Sequence, residues 1–285
     1  MDIVLLTRLL SIALAIVMLG LGLHLTTADF ARVIRYPKAA FIGLACQLLI
    51  LPAAAFALCK AFALSGNLAV GVMLLSASPG GITANLYSHL FRGDVALNIT
   101  LTAVNSLLSL VTLPLIVSFS LAHFLSAQQQ VPLPTDKVLQ VFAVVLVPVS
   151  IGMLVRHFAA ALAHKLDRPV KILSVVALVL AIAAAIIDQR KSLMENFRTV
   201  GAVTLLFNIL SLSVGYFAPR IFGVAKPQAI AIGMEIGIHN STLAIAIATT
   251  VLLNSAIAMP AAIYSIFMFT TAAMFGYLVA RRGQE

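Results

Sequence analysis

The residues best equipped for chemistry lie inside an apolar stretch. Glu235, His239 and Asn240 occur in GMEIGIHNS, residues 233–241, with Ile, Ala and Leu dominating on both sides. Glu235 is the one acidic residue so placed. Asp2, Asp29, Asp94, Asp136, Asp167, Asp188, Glu195 and Glu285 all fall at or beyond the ends of apolar runs. An ionisable group at membrane depth is expensive, and marks a functional site by default. No Lys or Arg in the interior of an apolar run stands ready to pair with it. Three chemistries remain: a protonated carboxyl, a bound cation, or a carboxylate on a water-filled path.

A hard monovalent cation needs several oxygen ligands drawn from carboxylate, amide, hydroxyl and carbonyl groups. Neighbouring apolar runs contain them: Gln47, Thr83 and Asn85, and then Asn98 and Thr102, whose spacing of four puts both on one helix face. An unwound turn at 236–239 would add backbone carbonyls. Taken singly, each polar residue is most often a packing hydrogen bond between helices. Together with a lone carboxylate and broken backbone they favour a site. A triad of Ser78, His239 and Glu235 would be the enzyme reading, but their placement supplies no nucleophile turn and no oxyanion donors.

The elements that must position these groups are membrane helices. The chain of 285 residues is 62% hydrophobic and 9% charged, far from the composition of a soluble domain. Runs long enough to cross a bilayer tile it nearly end to end. They predict nine spans at 3–25, 38–59, 67–90, 95–124, 137–158, 170–188, 199–220, 227–251 and 257–280. The first run starts at Asp2, continues to Leu25 and lacks a small-residue exit, unlike a signal peptide. Cys46 and Cys59 have no metal spacing and read as packing residues.

The net charge of +9 is scattered over span ends, which argues against nucleic acid. Arg32, Arg35, Lys38, Arg92, Arg156, Lys165, Arg168, Lys171, Arg220, Lys226, Arg281 and Arg282 fall on one set of ends. Arg8, Lys60, Lys137, Arg190, Lys191 and Arg198 fall on the other. The positive-inside rule makes the larger set cytoplasmic, with the N-terminus outside and the C-terminus inside an inner (plasma) membrane. No obligatory protein partner is evident beyond the lipid bilayer.

Two spans are interrupted. SASPGGITAN, 76–85, contains Pro79, which cannot donate a helical hydrogen bond, followed by Gly80 and Gly81. EIGIHNST, 235–242, contains Gly237 among polar residues. Bare backbone at mid-membrane is tolerated only where it is buried in protein or lines a cavity. A shift of 161 residues superposes Gln47 on Asn208, Met73 on Met234 and Pro79 on Asn240. The predicted topology runs the two interrupted spans in opposite directions. Paired interrupted spans in an inverted repeat point to a secondary transporter's site.

QLLILP at 47–52, SPGGITANLYSHLFRGDVALN at 78–98 and EIGIHNSTLAIAIA at 235–248 carry a strong resemblance to the bile acid:sodium symporter family over nearly the whole chain. The resemblance implies an all-α polytopic membrane protein of inverted repeats, in a nine-helix version lacking the family's first helix. Residues 1–124 form the first repeat, 125–136 an outer linker and 137–285 the second repeat. Spans 2, 3, 4, 7, 8 and 9 form a core domain, with spans 3 and 8 crossing at their breaks, and spans 1, 5 and 6 form a panel domain.

The resemblance also implies two sodium ions behind the crossing. One is held by Asn85, Asn98, Thr102 and Glu235. The other is held by Gln47, Glu235, His239 and the backbone oxygens of Ile236 and Ile238. Family substrates are bile acids in animals and organic anions, pantoate and pyruvate among them, in bacteria and plastids. Half-helix N-termini after Pro79 and His239 suit a carboxylate, with Gly81, Ile82, Thr83, Asn240 and Ser241 as contacts. Ala84 stands where the family often has Ser, Asn98 where Ser is common, and His239 where Gln is common. Met268 and Phe269 occupy a place where some members carry His-Asn. An imidazole, with an unperturbed pKa of about 6.5, can mimic the amide, ligate, or carry a proton. The implied function is sodium-coupled import of a small organic anion by alternating access. The alternative is proton-coupled or sodium/proton antiport through Glu235 and His239.

Overall fold

The computed structural model describes residues 32–64, 66–125, 135–166 and 190–281, with positions 15–16, 18–20, 22–23, 168–170, 172–173 and 176. The predicted spans 3–25 and 170–188 and the linker 125–136 fall largely outside the described residues. So do Asp2, Arg8, Asp29, Asp167, Lys171, Asp188, Arg282 and Glu285.

The described chain is almost wholly helical: α1 Pro37–Ala61, α2 Gly66–Ala77, α3 Ile82–Leu90, α4 Val95–Phe124, α5 Thr135–Phe158, α6 Arg190–Ile221, α7 Lys226–Gly237, α8 Ser241–Val251 and α9 Ser255–Arg281. Four helices are long and apolar enough to cross a membrane: α1, α4, the Phe197–Ile221 part of α6, and α9. At about 1.5 Å per residue even the shortest exceeds a hydrocarbon core of about 30 Å. The protein is an all-α membrane protein. Its outward surface agrees: Phe41, Leu49, Leu115, Phe119, Ile266, Met274 and Leu278 are exposed, as lipid contact requires.

Apart from α5, the remaining helices come in broken pairs. Neither α2 with 12 residues nor α3 with 9 can cross alone, and the same holds for α7 and α8. Between α2 and α3 lies Ser78–Gly81, where Pro79 withholds its N–H and Gly81 takes an extended conformation (φ −105°, ψ 168°). Between α7 and α8 the helix persists through Gly237, two residues further than the unwound turn expected at 236–239, and opens at Ile238–Asn240. The Asn240 side chain caps α8 by accepting from Leu243 N at 3.1 Å.

The two openings meet. Gly80 and His239 form an antiparallel β-bridge. Gly81 N donates to Ile238 O at 3.2 Å, and Asn240 N to Pro79 O at 2.8 Å. Backbone groups freed from one helix pair are thus satisfied by the other, which is how broken backbone survives at membrane depth.

Around this crossing α4, α6 and α9 pack against α2, α3, α7 and α8, with α1 against α2. Tyr264, Phe207, Met73, Leu74 and Leu75 are fully buried there. A separate apolar cluster joins Ile16, Leu19, Leu23, Val155, Ala163, Leu166 and Val170. In it Gly22 and Gly152 let two backbones touch: a Cβ on Gly152 would lie 2.8 Å from Leu23 N. Close approach through small residues is how membrane helices gain packing.

Candidate functional site

Glu235 sits in the last turn of α7, beside the crossing, with 0% of its surface exposed. Thr102 Oγ1 donates to its Oε2 at 2.6 Å, and Asn105 Nδ2 to its Oε1 at 3.4 Å. Gly80 completes the enclosure, because a Cβ there would fall within the carboxyl group and 2.6 Å from Glu235 O. Thr102 Oγ1 also lies 3.0 Å from Asn98 O. It has one proton, and the shorter contact to a charged acceptor takes it.

These partners are neutral. A charge-assisted hydrogen bond contributes about 1.5–3 kcal/mol, whereas the effective penalty for a buried ion is itself several kcal/mol. With the Gly80 backbone amide as a third neutral donor, no positive charge stands beside the carboxylate, and a positive partner, cation or proton, would complete the site.

Orphaned acceptors surround this carboxyl and the crossing. Gln47 Oε1, Asn85 Oδ1, Asn98 Oδ1 and Asn105 Oδ1 are buried with no hydrogen-bond partner. Asn98 directs its Nδ2 away, to Ala231 O at 2.6 Å, one turn before Glu235 on α7. Its oxygen is thereby left free. Among the described residues no three His, Cys, Asp and Glu side chains gather. The donor set is hard oxygen with a single negative charge, which fits sodium far better than a transition metal.

Of the first predicted ion set, Thr102 touches Glu235, Asn98 lies one turn away on the same face of α4, and Asn85 sits half-buried on α3 with its oxygen unpaired. The second set converges on a different atom. Gln47 Nε2 donates to Ser76 O at 3.1 Å and Ser78 O at 3.2 Å, and His239 Nδ1 lies 2.9 Å from the same Ser78 O. A carbonyl only accepts, so Nδ1 carries the ring proton and Nε2 presents a lone pair. That Nε2 is buried and unpartnered. Ile236 O is deprived of its usual helical donor, because Asn240 N has gone to Pro79 O. Ile238 O already accepts from Gly81 N. Gln47 itself sits on a widened turn, Cys46–Ile50, of a kind frequent at functional sites.

The enzyme reading fails on geometry as well. Ser78 Oγ donates to Leu74 O, and His239 meets the Ser78 carbonyl rather than its hydroxyl.

Among the predicted substrate contacts, Gly81 and Asn240 stand at the N-termini of α3 and α8, where Ile82 and Ser241 begin the helices. Thr83 is exposed. Ser241 Oγ lies 3.9 Å from Met268 Sδ. Phe269 packs against Tyr87, with ring centroids 6.1 Å apart.

Several site residues escaped the sequence reading. Asn105 is one; continuing the spacing of 98 and 102 by three would have found it. Asn208 is another. Its Nδ2 donates to Gly237 O and to the Tyr264 hydroxyl, both at 2.8 Å, its Oδ1 accepts from Thr271, and the Tyr264 hydroxyl donates to Gly237 O at 2.8 Å. Gln47 holds the carbonyl of residue 76 and Asn208 that of residue 237, so amide and carbonyl are both displaced by 161 positions. Phe207 stacks on the His239 ring, with centroids 5.5 Å apart and planes at 18°.

Broken helices crossing at a lone buried carboxylate, inside a lipid-facing bundle, are the architecture of a membrane transporter. The chain belongs to the sodium bile acid symporter family: residues 11–196 match the family model described as Sodium Bile acid symporter family. An uncharacterized sodium-dependent transporter of Bacillus subtilis (strain 168), YocS, is 30% identical over 259 residues, 90% of this chain and 78% of that protein. The ileal sodium/bile acid cotransporter of Oryctolagus cuniculus is 30% identical over 285 residues, 98% of this chain and 81% of that one. The probable sodium/metabolite cotransporter BASS1, chloroplastic, of Arabidopsis thaliana is 26% identical over 255 residues, 90% of this chain but 62% of its own length. These relatives are transporters, not enzymes.

Proposed function

We propose that the chain imports a small organic anion together with sodium by alternating access, with Glu235 as the sodium carboxylate. The observation that carries this is the buried carboxyl of Glu235, held by neutral Thr102 and Asn105 in a neighbourhood of amide oxygens that lack donors. One sodium engages Glu235, Thr102, Asn98 and Asn85. A second engages Gln47, His239 and the freed carbonyl of Ile236, beside the shared Ser78 oxygen. Sodium neutralises Glu235 and orders the crossing. The N-termini of α3 and α8 then receive a carboxylate of bile-acid-like or pantoate-like size, with Thr83, Asn240 and Ser241 as polar contacts and Met268 and Phe269 as apolar ones. A core of α1–α4 and α6–α9 rocks against a panel of α5 and the predicted spans 3–25 and 170–188. The equivalent bonds of Gln47 and Asn208 support two inverted repeats, nine spans in all, joined at 125–136.

The basic residues support an inward C-terminus. Asp94 N bonds Pro227 O, and Lys226 Nζ reaches Ala280 O. The ends bearing Arg92, Lys226 and Arg281 therefore share one face, and that face is cytoplasmic by the positive-inside rule.

Proteoliposomes with an inward sodium gradient, screened with radiolabelled carboxylates, test the reading. Accumulation that collapses when potassium replaces sodium, and that Glu235→Gln abolishes, is the expected result. Full accumulation by that variant sinks it. The proton-coupled reading has one observation in its favour, the unpartnered Nε2 of His239. Uptake driven by a pH gradient in sodium-free buffer would select it.

A further inference from the structure

The helix that supplies Thr102 and Asn105 carries more polarity than the carboxylate uses. At about 100° per residue, positions 98, 102, 105, 109 and 112 of α4 fall within about 80° of arc. They are Asn, Thr, Asn, Ser and Thr. The row lies about 100° or more from Leu107 and Val111, which are 42% and 53% exposed and face lipid. Asn105 and Ser106 are 1% exposed and Ser109 4%. Yet Asn105 Oδ1, Ser106 Oγ and Thr112 Oγ1 have no partner.

Hydroxyls on membrane helices ordinarily bond the carbonyl three or four residues back. Thr100, Ser109 and Ser120 do so on this very helix. Ser106 and Thr112 do not, and they follow Asn105 in the direction that leads from Glu235 toward the C-terminal end of α4. Pro114 adds to the series, since it withholds its N–H from the carbonyl of Leu110, between Ser109 and Thr112. Steps of four and three residues set these acceptors about 5–6 Å apart, a spacing a partly dehydrated cation can cross while keeping at least one oxygen ligand.

We propose that this row is the route by which the cation moves between Glu235 and the membrane face bearing the C-terminal end of α4, with Asn105 as the station that passes it to the carboxylate. This rests on the sodium reading above. The route is closed in this structure at Asn105 and Ser109, whose side chains are buried, while Thr112 beyond them is half-buried. It opens when core and panel part.

Cysteine accessibility tests the proposal. Ser109→Cys and Thr112→Cys are introduced singly into a chain carrying Cys46→Ala and Cys59→Ala. His123→Cys marks the α4 C-terminal face, and Val111→Cys, at a position 53% exposed, probes the lipid side. A membrane-impermeant cationic thiol reagent is applied to intact cells and to inverted vesicles, in sodium or in potassium. Thiolates form only where water reaches, so the route predicts labelling at 109 and 112 at least about tenfold faster than at 111. It predicts labelling from the side that labels His123→Cys, slowed several-fold by sodium. Should one of the two variants fail to fold, the other carries the test. Labelling only from the opposite side, no labelling, or a rate no faster than at 111 overturns the route. Labelling as predicted but indifferent to sodium, in a parent chain that sodium does not stabilise, overturns the proposed function and leaves a water route standing. Sodium stabilisation without labelling overturns the route alone.

Discussion

Gly80→Ala offers a demanding test, because the structure states what a single methyl group must displace. The new Cβ would fall within the carboxyl of Glu235 and 2.6 Å from its backbone oxygen, whereas ordinary contact begins near 3.4 Å. The carboxyl must therefore shift by about 1 Å, a displacement large enough to disrupt the 2.6 Å hydrogen bond from Thr102 Oγ1. Loss of one charge-assisted hydrogen bond is worth about 1.5–3 kcal/mol, or roughly a 10- to 150-fold weaker sodium interaction. The neighbouring Gly81 provides the comparison, since its Cβ would meet only Thr83 Oγ1 at 3.5 Å. The assay is the melting temperature of purified protein titrated with sodium at constant ionic strength. Gly81→Ala keeps the wild-type sodium midpoint, and Gly80→Ala moves it upward by at least tenfold. A wild-type midpoint in Gly80→Ala would refute the packing of Gly80 on Glu235 and the ligand geometry built on it.

Tyr264→Phe removes a buried hydroxyl that both accepts from Asn208 and donates to Gly237 O; it lowers stability by about 1–3 kcal/mol in sodium and potassium alike, measured by thermal melting. Gly152→Ala forces a methyl group against the backbone of Leu19 and Leu23, so it destabilises by about 1–3 kcal/mol through overpacking. A neutral melting shift there would show the two helices free to separate. His239→Gln retains an amide that can donate to Ser78 O and keeps the sodium-dependent shift in melting temperature; loss of that shift would make the imidazole itself indispensable.

What the sequence disclosed, and what it did not, follows from which atoms carry letters. Glu235 stood out because a lone carboxylate in apolar surroundings is rare, and Pro79 with its two glycines announced the first break. The second break, expected at 236–239, begins two residues later: a glycine in a helix only lowers stability, and the chain leaves the helix where Asn240 can cap α8. Gln47 and Asn208 were legible as repeat mates. Their shared task of holding carbonyls of residues 76, 78 and 237 was not, because backbone oxygens look alike in every residue. For the same reason the meeting of Gln47 and His239 on Ser78 O could not be foreseen. Tyr264 and Thr271 were hidden for another reason: in an apolar span such residues commonly only pack, and nothing local says that their hydroxyls close a network around Asn208. Asn105 was in plain view, at the next position of the helical period that joins Asn98 to Thr102.

The most direct test of a sodium carboxylate at Glu235 is thermal stability of the purified protein in sodium against potassium, from pH 5 to 8, for wild type and Glu235→Gln. A ligand that binds only the folded state raises the apparent stability. The account predicts sodium-specific stabilisation of the wild type and none in the variant, which stays folded. Sodium stabilisation that survives in Glu235→Gln, or a wild type that distinguishes pH values but not sodium from potassium, would contradict it.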